Sequence, residues 1–154
     1  SRYSGRMEFI PCCAPSYIKK HGAISDPDQC NDLTGLSYTG GTRTRTQELQ
    51  NNGVVRQLKW RKSLSFQSLS DIKNACLLGA GIASDLPVIH CIDELEQGKL
   101  VNVLAGWKRP AAGCYLYSTR HFTEYRRVST FLDWMAEKHR ELLDQIDERF
   151  RKLA

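Results

Sequence analysis

The chain has 154 residues, of which 41% are hydrophobic and 25% are charged, and this composition is ordinary for one globular domain with its own core. No apolar run is long enough to cross a bilayer and no basic and apolar leader opens the chain, which argues against a membrane or secreted protein. The net charge of +5 comes from scattered basic residues, many of them offset by acids, and this pattern argues against direct DNA contact by this chain.

Six cysteines are spread along the chain, and no two of them form a Cys-x-x-Cys pair that would indicate a zinc or thioredoxin-type site. Most have apolar neighbours, which is typical of cysteine as a small buried hydrophobe. We therefore expect free thiols in a reducing, cytoplasmic compartment. Thiol-based sensing through the adjacent Cys12 and Cys13 is an alternative, although a buried structural role is favoured.

The first elements alternate between strand and helix. Residues 7–13 are apolar apart from one glutamate, which predicts a strand buried on both faces of a parallel sheet. Pro15 then fits the first turn of a helix that Gly22 ends. Ser25 is the predicted N-cap of a second short helix through residue 31, and residues 33–38 form a candidate strand.

A polar, glycine-led segment follows at residues 40–46. Glycines before hydroxyl and arginine side chains can bind an anion through backbone N–H groups, but the spacing is not that of a phosphate loop, so a plain surface loop is the alternative. Residues 51–53, Asn-Asn-Gly, predict a turn. Residues 54–62 and 63–67 then predict two strands.

Residues 68–107 predict helix, turn, strand, helix and strand in that order. Ser68 or Ser70 caps a helix whose apolar residues are spaced by three and four. Gly79 stands where that helix ends and is predicted to have a positive φ. Residues 80–83 lead into a short strand that Pro87 stops, and a helix at residues 88–96 and a strand at residues 99–104 follow.

The last part of the chain predicts a loop at residues 107–113, a strand at residues 114–118 and a helix beginning at Thr123. Apolar residues repeat in that helix at spacings of three and four. His139 lies near this stripe, and we expect it to be hydrogen-bonded or partly exposed. The predicted stripe consists of Val128, Phe131, Leu132, Met135, Leu142, Ile146 and Phe150.

The sequence predicts no enzyme, no cofactor and no metal. It has no Gly-x-Ser-x-Gly, His-Glu-x-x-His or dinucleotide-binding motif. The four histidines are scattered, and none lies at motif spacing from an acid and a nucleophile. A binding module therefore fits the sequence better than a catalyst.

Three blocks of the chain, in this order, resemble the effector-binding domain of LysR-type transcriptional regulators. The first is Ala-Pro-Ser-Tyr-Ile at residues 14–18, before a glycine. The second is the helix ending in Gly-Ala-Gly-Ile at residues 79–82, followed by Leu-Pro and by Gly-Lys-Leu-Val-Asn-Val-Leu at residues 98–104, just before Trp107. The third is the last strand and helix, at residues 115–135.

The resemblance implies an α/β fold like that of type 2 periplasmic binding proteins, with a mixed sheet flanked by helices and a small metabolite, often an anion, bound between two subdomains. It covers residues 7–136 and implies an incomplete domain: residues 14–107 form the second subdomain, and residues 108–136 return into the first. Residues 137–154 are predicted to form a charged helical tail. The DNA-binding domain and the start of the first subdomain are expected in a longer polypeptide.

Ligands of doubly wound sheets lie at the carboxyl ends of strands, beside helix N-termini that favour anions. Two places in this chain have that form, the turn after residues 7–13 and the loop after residues 33–38. The candidate effector-binding residues are Cys12, Cys13, Ala14, Thr39, Gly40, Gly41 and Leu78.

The predicted function is therefore a regulatory domain that binds a small-molecule effector, contacts DNA only through the missing domain and has no membrane partner. A stand-alone solute-binding domain of the periplasmic type is the alternative. By resemblance we expect a homodimer or a larger homo-oligomer, with the helix at residues 69–78 as one contact. The C-terminal helix is expected either to cover apolar surface between chains or to fold back on its own sheet.

Overall fold

The structure is a computed structural model that describes residues 1–41 and 43–153, without the side chain of Thr123. The chain forms two units: residues 9–110 make the larger unit, and residues 1–8 with 111–154 make the smaller unit. In chain order, the elements are β1 (Arg2–Met7), β2 (Phe9–Cys13), α1 (Pro15–His21), β3 (Thr34–Tyr38), β4 (Glu48–Asn51), β5 (Val54–Gln57), β6 (Lys62–Phe66), α2 (Leu69–Leu77), β7 (Ile82–Pro87), α3 (Val88–Glu96), β8 (Val101–Asn102), β9 (Ala112–Leu116), α4 (Arg120–Thr123) and α5 (Arg126–Arg151).

The larger unit is built on a mixed sheet with the strand order β6–β3–β7–β2–β8. Strand β3 is parallel to β6 and β7, whereas β2 is antiparallel to both of its neighbours, β7 and β8. Every residue of β2 is buried. The predicted burial on both faces is therefore confirmed, but the predicted parallel pairing is wrong for this strand, because an apolar run does not encode the direction of its neighbours.

A register shift between Ile10 and Cys12 interrupts the pairing of β2 with β7. Pro11 lies at that shift and has no N–H group for the ladder, which is why an irregularity is tolerated there. Its carbonyl still accepts a hydrogen bond from Val103 N at 3.0 Å. The chain thus keeps a proline in the middle of a buried strand with its carbonyl group hydrogen-bonded.

Helix α2 begins and ends as predicted. Ser68 is its N-cap and accepts a hydrogen bond from the backbone N–H of Asp71. Ile72 and Cys76 form its buried face. Gly79 has a φ of +76°, and a Cβ there would lie 3.0 Å from Ser16 Oγ, so both conformation and space favour glycine.

Strand β7 ends at Pro87 as predicted, whereas two other predictions about the larger unit need correction. The second short helix is a 3-10 helix, Pro27–Asp32, whose N-cap is Asp26 rather than Ser25 because Asp26 and Gln29 form a capping box. Strand β8 is only two residues long, because Leu104 adopts a left-handed backbone with φ of +53° and takes the chain out of the sheet.

The predicted turn at Asn52 and Gly53 joins β4 and β5 in a hairpin, with φ values of +48° and +80°. These paired positive φ values are those of a type I′ turn, which matches the twist of the two strands. Strand β4 was not predicted, and β5 is shorter than the predicted residues 54–62.

The smaller unit consists of the antiparallel pair β1 and β9 together with helices α4 and α5. Helix α5 packs against β1 through Leu143, which lies beside Gly5, and through His139, whose Nδ1 lies 2.8 Å from Ser4 Oγ. The apolar stripe of α5 therefore packs on β1 of the same chain, and Ser4 is the hydrogen-bond partner of His139. None of the described helices is long and apolar enough to cross a membrane.

The predicted apolar stripe of α5 is only partly right. Leu132 and Ile146 are buried, but Phe131 and Leu142 are exposed. Each of these two residues precedes the buried Leu132 or Leu143 by one position, and one position turns the side chain by about 100° around the helix. Spacing alone could not show which neighbour of each apolar pair faces the sheet.

Candidate functional site

The main polar cluster of the larger unit surrounds Asp85 in β7. This residue is only 4% exposed, and its Oδ2 accepts hydrogen bonds from Thr46 Oγ1 at 2.6 Å, Arg43 Nη2 at 2.8 Å and Arg109 Nη1 at 3.2 Å. Ser84 Oγ donates to Oδ1 at 3.2 Å. A buried carboxylate is costly unless it is paired and hydrogen-bonded, and here both conditions are met.

The sheet topology brings these groups to one edge. Leu36 lies beside Ala83 in the parallel pair of β3 and β7, so Tyr38, two residues further on, is level with Asp85. Strand β3 then ends, and the loop that follows carries Arg43 and Thr46 back to Asp85. The cluster therefore lies where two parallel strands approach their carboxyl ends, the usual place for a ligand in an open α/β sheet.

Aromatic rings support both arginines. The Arg43 guanidinium carbon lies 5.1 Å from the ring centroid of Phe9 and 4.8 Å from that of Tyr38, and the Arg109 carbon lies 4.6 Å from that of Phe9. Such cation–π contacts fix the planes of the guanidinium groups. The two cations share one buried carboxylate, so the cluster carries one excess positive charge.

Both arginines are largely buried, with side chains 18% exposed for Arg43 and 20% exposed for Arg109. The Nε of Arg43 is buried, and no group in the described part of the chain accepts a hydrogen bond from it. Burial lowers the pKa of Arg43 from its ordinary value; the charge of Asp85 opposes that shift, and the charge of Arg109 adds to it. The two arginines differ in position, because Arg109 lines the adjacent groove and Arg43 does not.

A groove of about 480 Å³ lies beside the cluster, within the usual range for small-molecule sites of about 300–1,000 Å³. Two of its polar side chains have partners outside it: Arg45 donates to Ser63 Oγ at 2.6 Å, and Glu48 accepts from Gln57 Nε2 at 3.2 Å. The residues that line the groove are Thr44, Arg45, Thr46, Gln47, Glu48, Arg109 and Pro110.

Three of the predicted effector-binding residues lie at this edge. Thr39 N donates to Phe66 O at 2.8 Å, which fixes the end of β3 against the end of β6. Gly40 is buried against Tyr38, and Gly41 has a φ of +64°. The predicted loop at residues 40–46 is therefore a loop throughout its described part; Thr42, which belongs to that prediction, lies outside the described residues.

The other predicted residues lie at the opposite edge of the same sheet. Cys12 is level with Ala83 in the antiparallel pair, so β2 ends where β7 begins, and Cys13 and Ala14 follow. Leu78 lies just after α2, beside Gly79. The structure therefore does not bring the two predicted places together, because the prediction assumed that β2 runs parallel to β3.

The thiols at that opposite edge belong to the core. Cys12 and Cys13 are fully buried, and Cys76 Sγ donates to the Cys12 carbonyl at 3.2 Å. Hydrogen bonds with the thiols of Cys76 and Cys91, together with burial, raise the pKa of Cys12 well above its ordinary value. Within the described residues all six cysteines are free, and no group of three or more His, Cys, Asp or Glu side chains is placed to hold a metal ion.

The sequence analysis did not identify Asp85 or Arg109 as site residues. Arg43 and Thr46 fell within the predicted anion-binding loop, but nothing local pointed to their partner. One signal was available: Asp85 is a charged residue in a strand whose six residues are all buried, and a buried charge requires a partner. The predicted strand that Pro87 stops contains Asp85, but the sequence analysis did not single out this charge.

Comparison with known proteins identifies the family of this chain. The family model described as the LysR substrate binding domain matches residues 1–140. The uncharacterized HTH-type transcriptional regulator YhjC of Escherichia coli K12 is 27% identical over 146 residues, which are 94% of this chain and 48% of that protein. The HTH-type transcriptional regulator PtxR of Pseudomonas aeruginosa is 28% identical over 137 residues, 85% of this chain and 42% of that protein. The chain thus spans less than half the length of these relatives.

Solved structures show the same fold. CrgA, a LysR-type transcriptional regulator from Neisseria meningitidis, matches with a TM-score of 0.67 and 22% identity, over 90% of this chain and 47% of that chain. The regulatory domain of AphB from Vibrio vulnificus matches with a TM-score of 0.60 and 22% identity, over 73% of this chain and 55% of that chain. The predicted fold, α/β and like that of type 2 periplasmic binding proteins, is confirmed.

Proposed function

The chain belongs to the LysR substrate binding domain family, and from that premise we propose that it senses a small anionic metabolite on behalf of a LysR-type transcriptional regulator. The family supports a regulatory role. The observation that carries the proposal is the cluster at the carboxyl ends of β3 and β7, where two arginines share the single buried carboxylate of Asp85.

We propose that the effector binds at the edge of the sheet that holds Thr39, Gly40 and Gly41, beside the Asp85 cluster. A groove and an excess positive charge support this choice. The turn at Cys12, Cys13 and Ala14, and Leu78 beside it, remain predictions. Cys12 and Cys13 have no exposed surface to offer a ligand, whereas Leu78 is 86% exposed and fits a contact with a partner chain better.

The remaining parts of the proposal concern the whole regulator. The relatives are described as HTH-type regulators, so we place DNA recognition in a domain of a longer polypeptide and the protein in the cytoplasm. We propose that residues 14–107 form the second subdomain, that residues 108–136 return into the first, and that homo-oligomers form in part through α2 and the exposed Leu78. These relatives favour a regulator over the stand-alone solute-binding domain.

A metabolite panel tests this function. We expect at least one anionic metabolite to bind the chain in calorimetry and to raise its melting temperature, since a ligand at 100 times its Kd adds about 2.7 kcal/mol to the free energy of unfolding. Removing one cluster charge with Arg43→Gln should weaken that binding.

A mobility-shift assay with promoter DNA provides the second half of the test. The chain alone should bind DNA weakly, without sequence preference and less as salt rises, because we place the recognition helix in another domain of the regulator. A panel without any binding metabolite, or a sequence-specific DNA complex of this chain alone, would contradict the proposal.

A further inference from the structure

The Arg109 guanidinium is anchored to the cluster through one of its nitrogens. Its Nη1 donates to Asp85 Oδ2 at 3.2 Å and to Thr46 Oγ1 at 3.4 Å. Both of these hydrogen bonds use the same nitrogen, and the other two nitrogens of the guanidinium are Nε and Nη2. These two groups form the side-on fork that matches the two oxygens of a carboxylate, and Arg109 lines the groove.

This fork is held in place before any ligand arrives. Asp85 fixes Nη1, the ring of Phe9 lies 4.6 Å from the guanidinium carbon, and Thr46 bonds both Asp85 and Arg109. Because Asp85 itself is buried and held by four donors, it cannot turn toward the groove without losing them. A ligand that binds the fork therefore avoids the entropy cost of ordering a flexible arginine.

The charges select a monoanion. The cluster and the groove together hold three arginines, Arg43, Arg45 and Arg109, against two carboxylates, Asp85 and Glu48. One positive charge is left over in a partly buried place. A ligand with one negative charge balances it, whereas a dianion brings a second charge that must be desolvated without a partner.

We propose that the groove binds the carboxylate of a small monoanionic organic acid. Arg109 Nε and Nη2 are its two direct donors, and Asp85 and Thr46 are positioning residues that orient Arg109. This inference rests on the proposed function only for the biological role of the ligand; the chemistry of the site stands on the contacts described above.

Titration calorimetry at constant ionic strength tests the ligand class with four probes. Benzoate carries one carboxylate, benzamide is its neutral counterpart, phthalate adds a second carboxylate, and inorganic phosphate is an oxyanion without a carboxylate. We expect benzoate to bind at least about ten times more tightly than each of the other three, since a missing charge-assisted pair or an unpaired buried charge costs about 1.4 kcal/mol or more. Phosphate or benzamide binding as tightly as benzoate would overturn the ligand class.

Variants test the donor. Arg109→Lys keeps the charge but cannot offer two parallel N–H groups, so it should weaken benzoate binding about tenfold, and Arg109→Gln should abolish it. Arg56→Gln is the matched control, because Arg56 lies exposed on the hairpin and its loss removes the same charge from the chain. Equal effects of Arg56→Gln and Arg109→Gln would show attraction by net charge alone and would overturn the assignment of Arg109.

Asp85→Asn separates positioning from simple electrostatics. It removes a negative charge beside the ligand, so electrostatics alone predicts tighter benzoate binding, whereas loss of the fixed Arg109 plane predicts binding at least about threefold weaker. Thr46→Val makes the same test without changing charge and serves if Asp85→Asn does not fold. Tighter binding by a folded Asp85→Asn, or unchanged binding by Thr46→Val, would overturn the positioning role.

The outcome is separable from that of the proposed function. A metabolite that binds with equal affinity to the wild type and to Arg109→Gln supports the sensing function and overturns this inference. Benzoate binding that depends on Arg109, in a chain that binds no member of the metabolite panel, supports this inference and contradicts the proposed sensing function.

Discussion

The two units of the chain differ in how well each buries its own apolar side chains. Of the 27 buried hydrophobic residues in the described part of the chain, 23 belong to the larger unit. Of the twelve exposed large hydrophobic residues there, nine belong to the smaller unit, although it has only about half as many residues. The larger unit therefore has a core of its own, and the smaller unit has little more than one helix packed on two strands.

The exposed side chains of the smaller unit are largely aromatic. Phe131 is 56% exposed and Trp134 is 52% exposed. Together with Arg126, Arg127 and Thr130 they line a hollow of about 490 Å³ on α5. Tyr3 and Tyr115 form an exposed pair on the two strands, with centroids 5.4 Å apart. Exposed apolar patches of this kind mark surfaces that contact other polypeptide, whereas the polar groove of the larger unit has the character of a ligand site.

Thiol reactivity should separate the units most strongly. Five of the six cysteines are buried in the larger unit, and only Cys114 of the smaller unit is partly exposed. Burial raises the pKa of Cys13 and of Cys30 to about 12, so at pH 8 their thiolate fraction is roughly a thousandfold below that of an ordinary thiol.

We therefore expect Cys114 to react first with iodoacetamide in the native chain, and the other five to react only as fast as the chain unfolds. Peptide mass spectrometry over a labelling time course measures this order, and the chain in denaturant gives the unprotected rates. Labelling of Cys13 or Cys30 as fast in the native chain as in denaturant would show that the larger unit opens readily.

A core truncation should affect the larger unit more than an equally large change on the smaller one. Leu86→Ala removes a fully buried side chain from β7 and should lower the free energy of unfolding by about 2–5 kcal/mol, through lost burial and a cavity. Phe131→Ala removes a half-exposed ring and should cost under about 1 kcal/mol. Hydrogen exchange followed by mass spectrometry reports each unit separately; a similar loss of protection in both variants would contradict the comparison.

The smallest effect should come from the ion pair between α2 and α3. Lys73 Nζ lies 2.8 Å from Glu94 Oε1. Burial raises the pKa of Glu94, but the hydrogen bond from Lys73, a backbone hydrogen bond and the charge of Lys73 lower it, and the net shift is downward. The pair should therefore stabilise the larger unit above the ordinary glutamate pKa and lose that contribution as pH falls toward the lower, folded-state pKa.

Glu94→Gln should remove the contribution of this pair. Above the ordinary glutamate pKa, the free energy of unfolding should therefore fall by under about 1 kcal/mol. Urea unfolding at a series of pH values between 3 and 7 measures the change. Glu141→Gln, at an exposed pair with Lys138 on α5, is the control and should leave the curve of the larger unit unchanged. Loss of stability by Glu94→Gln that is as large at pH 3 as at pH 7 would rule out this ionisation as the cause.

Short-range chemistry made the helices of the larger unit predictable. Pro15, Ser68 and Gly79 set the start of α1 and both ends of α2 by rules that need only a few neighbouring residues. The direction of β2 could not be predicted, because strand pairing depends on residues far along the chain. The Asp85 cluster could not be predicted for the same reason, since Arg43 is 42 positions and Arg109 is 24 positions away from Asp85.

The contact between the Trp60 ring and Gly35 has a consequence for fluorescence. A Cβ at Gly35 would lie 2.4 Å from the indole ring, so the indole rests directly on the backbone of β3, and its emission should shift to the red as soon as that strand separates from its neighbours. Trp134, half-exposed on α5, should emit near the solvent-exposed wavelength in both the folded and the unfolded chain. With Trp107 and Trp134 replaced by phenylalanine, the chain would carry an intrinsic optical probe for the sheet that holds the Asp85 cluster.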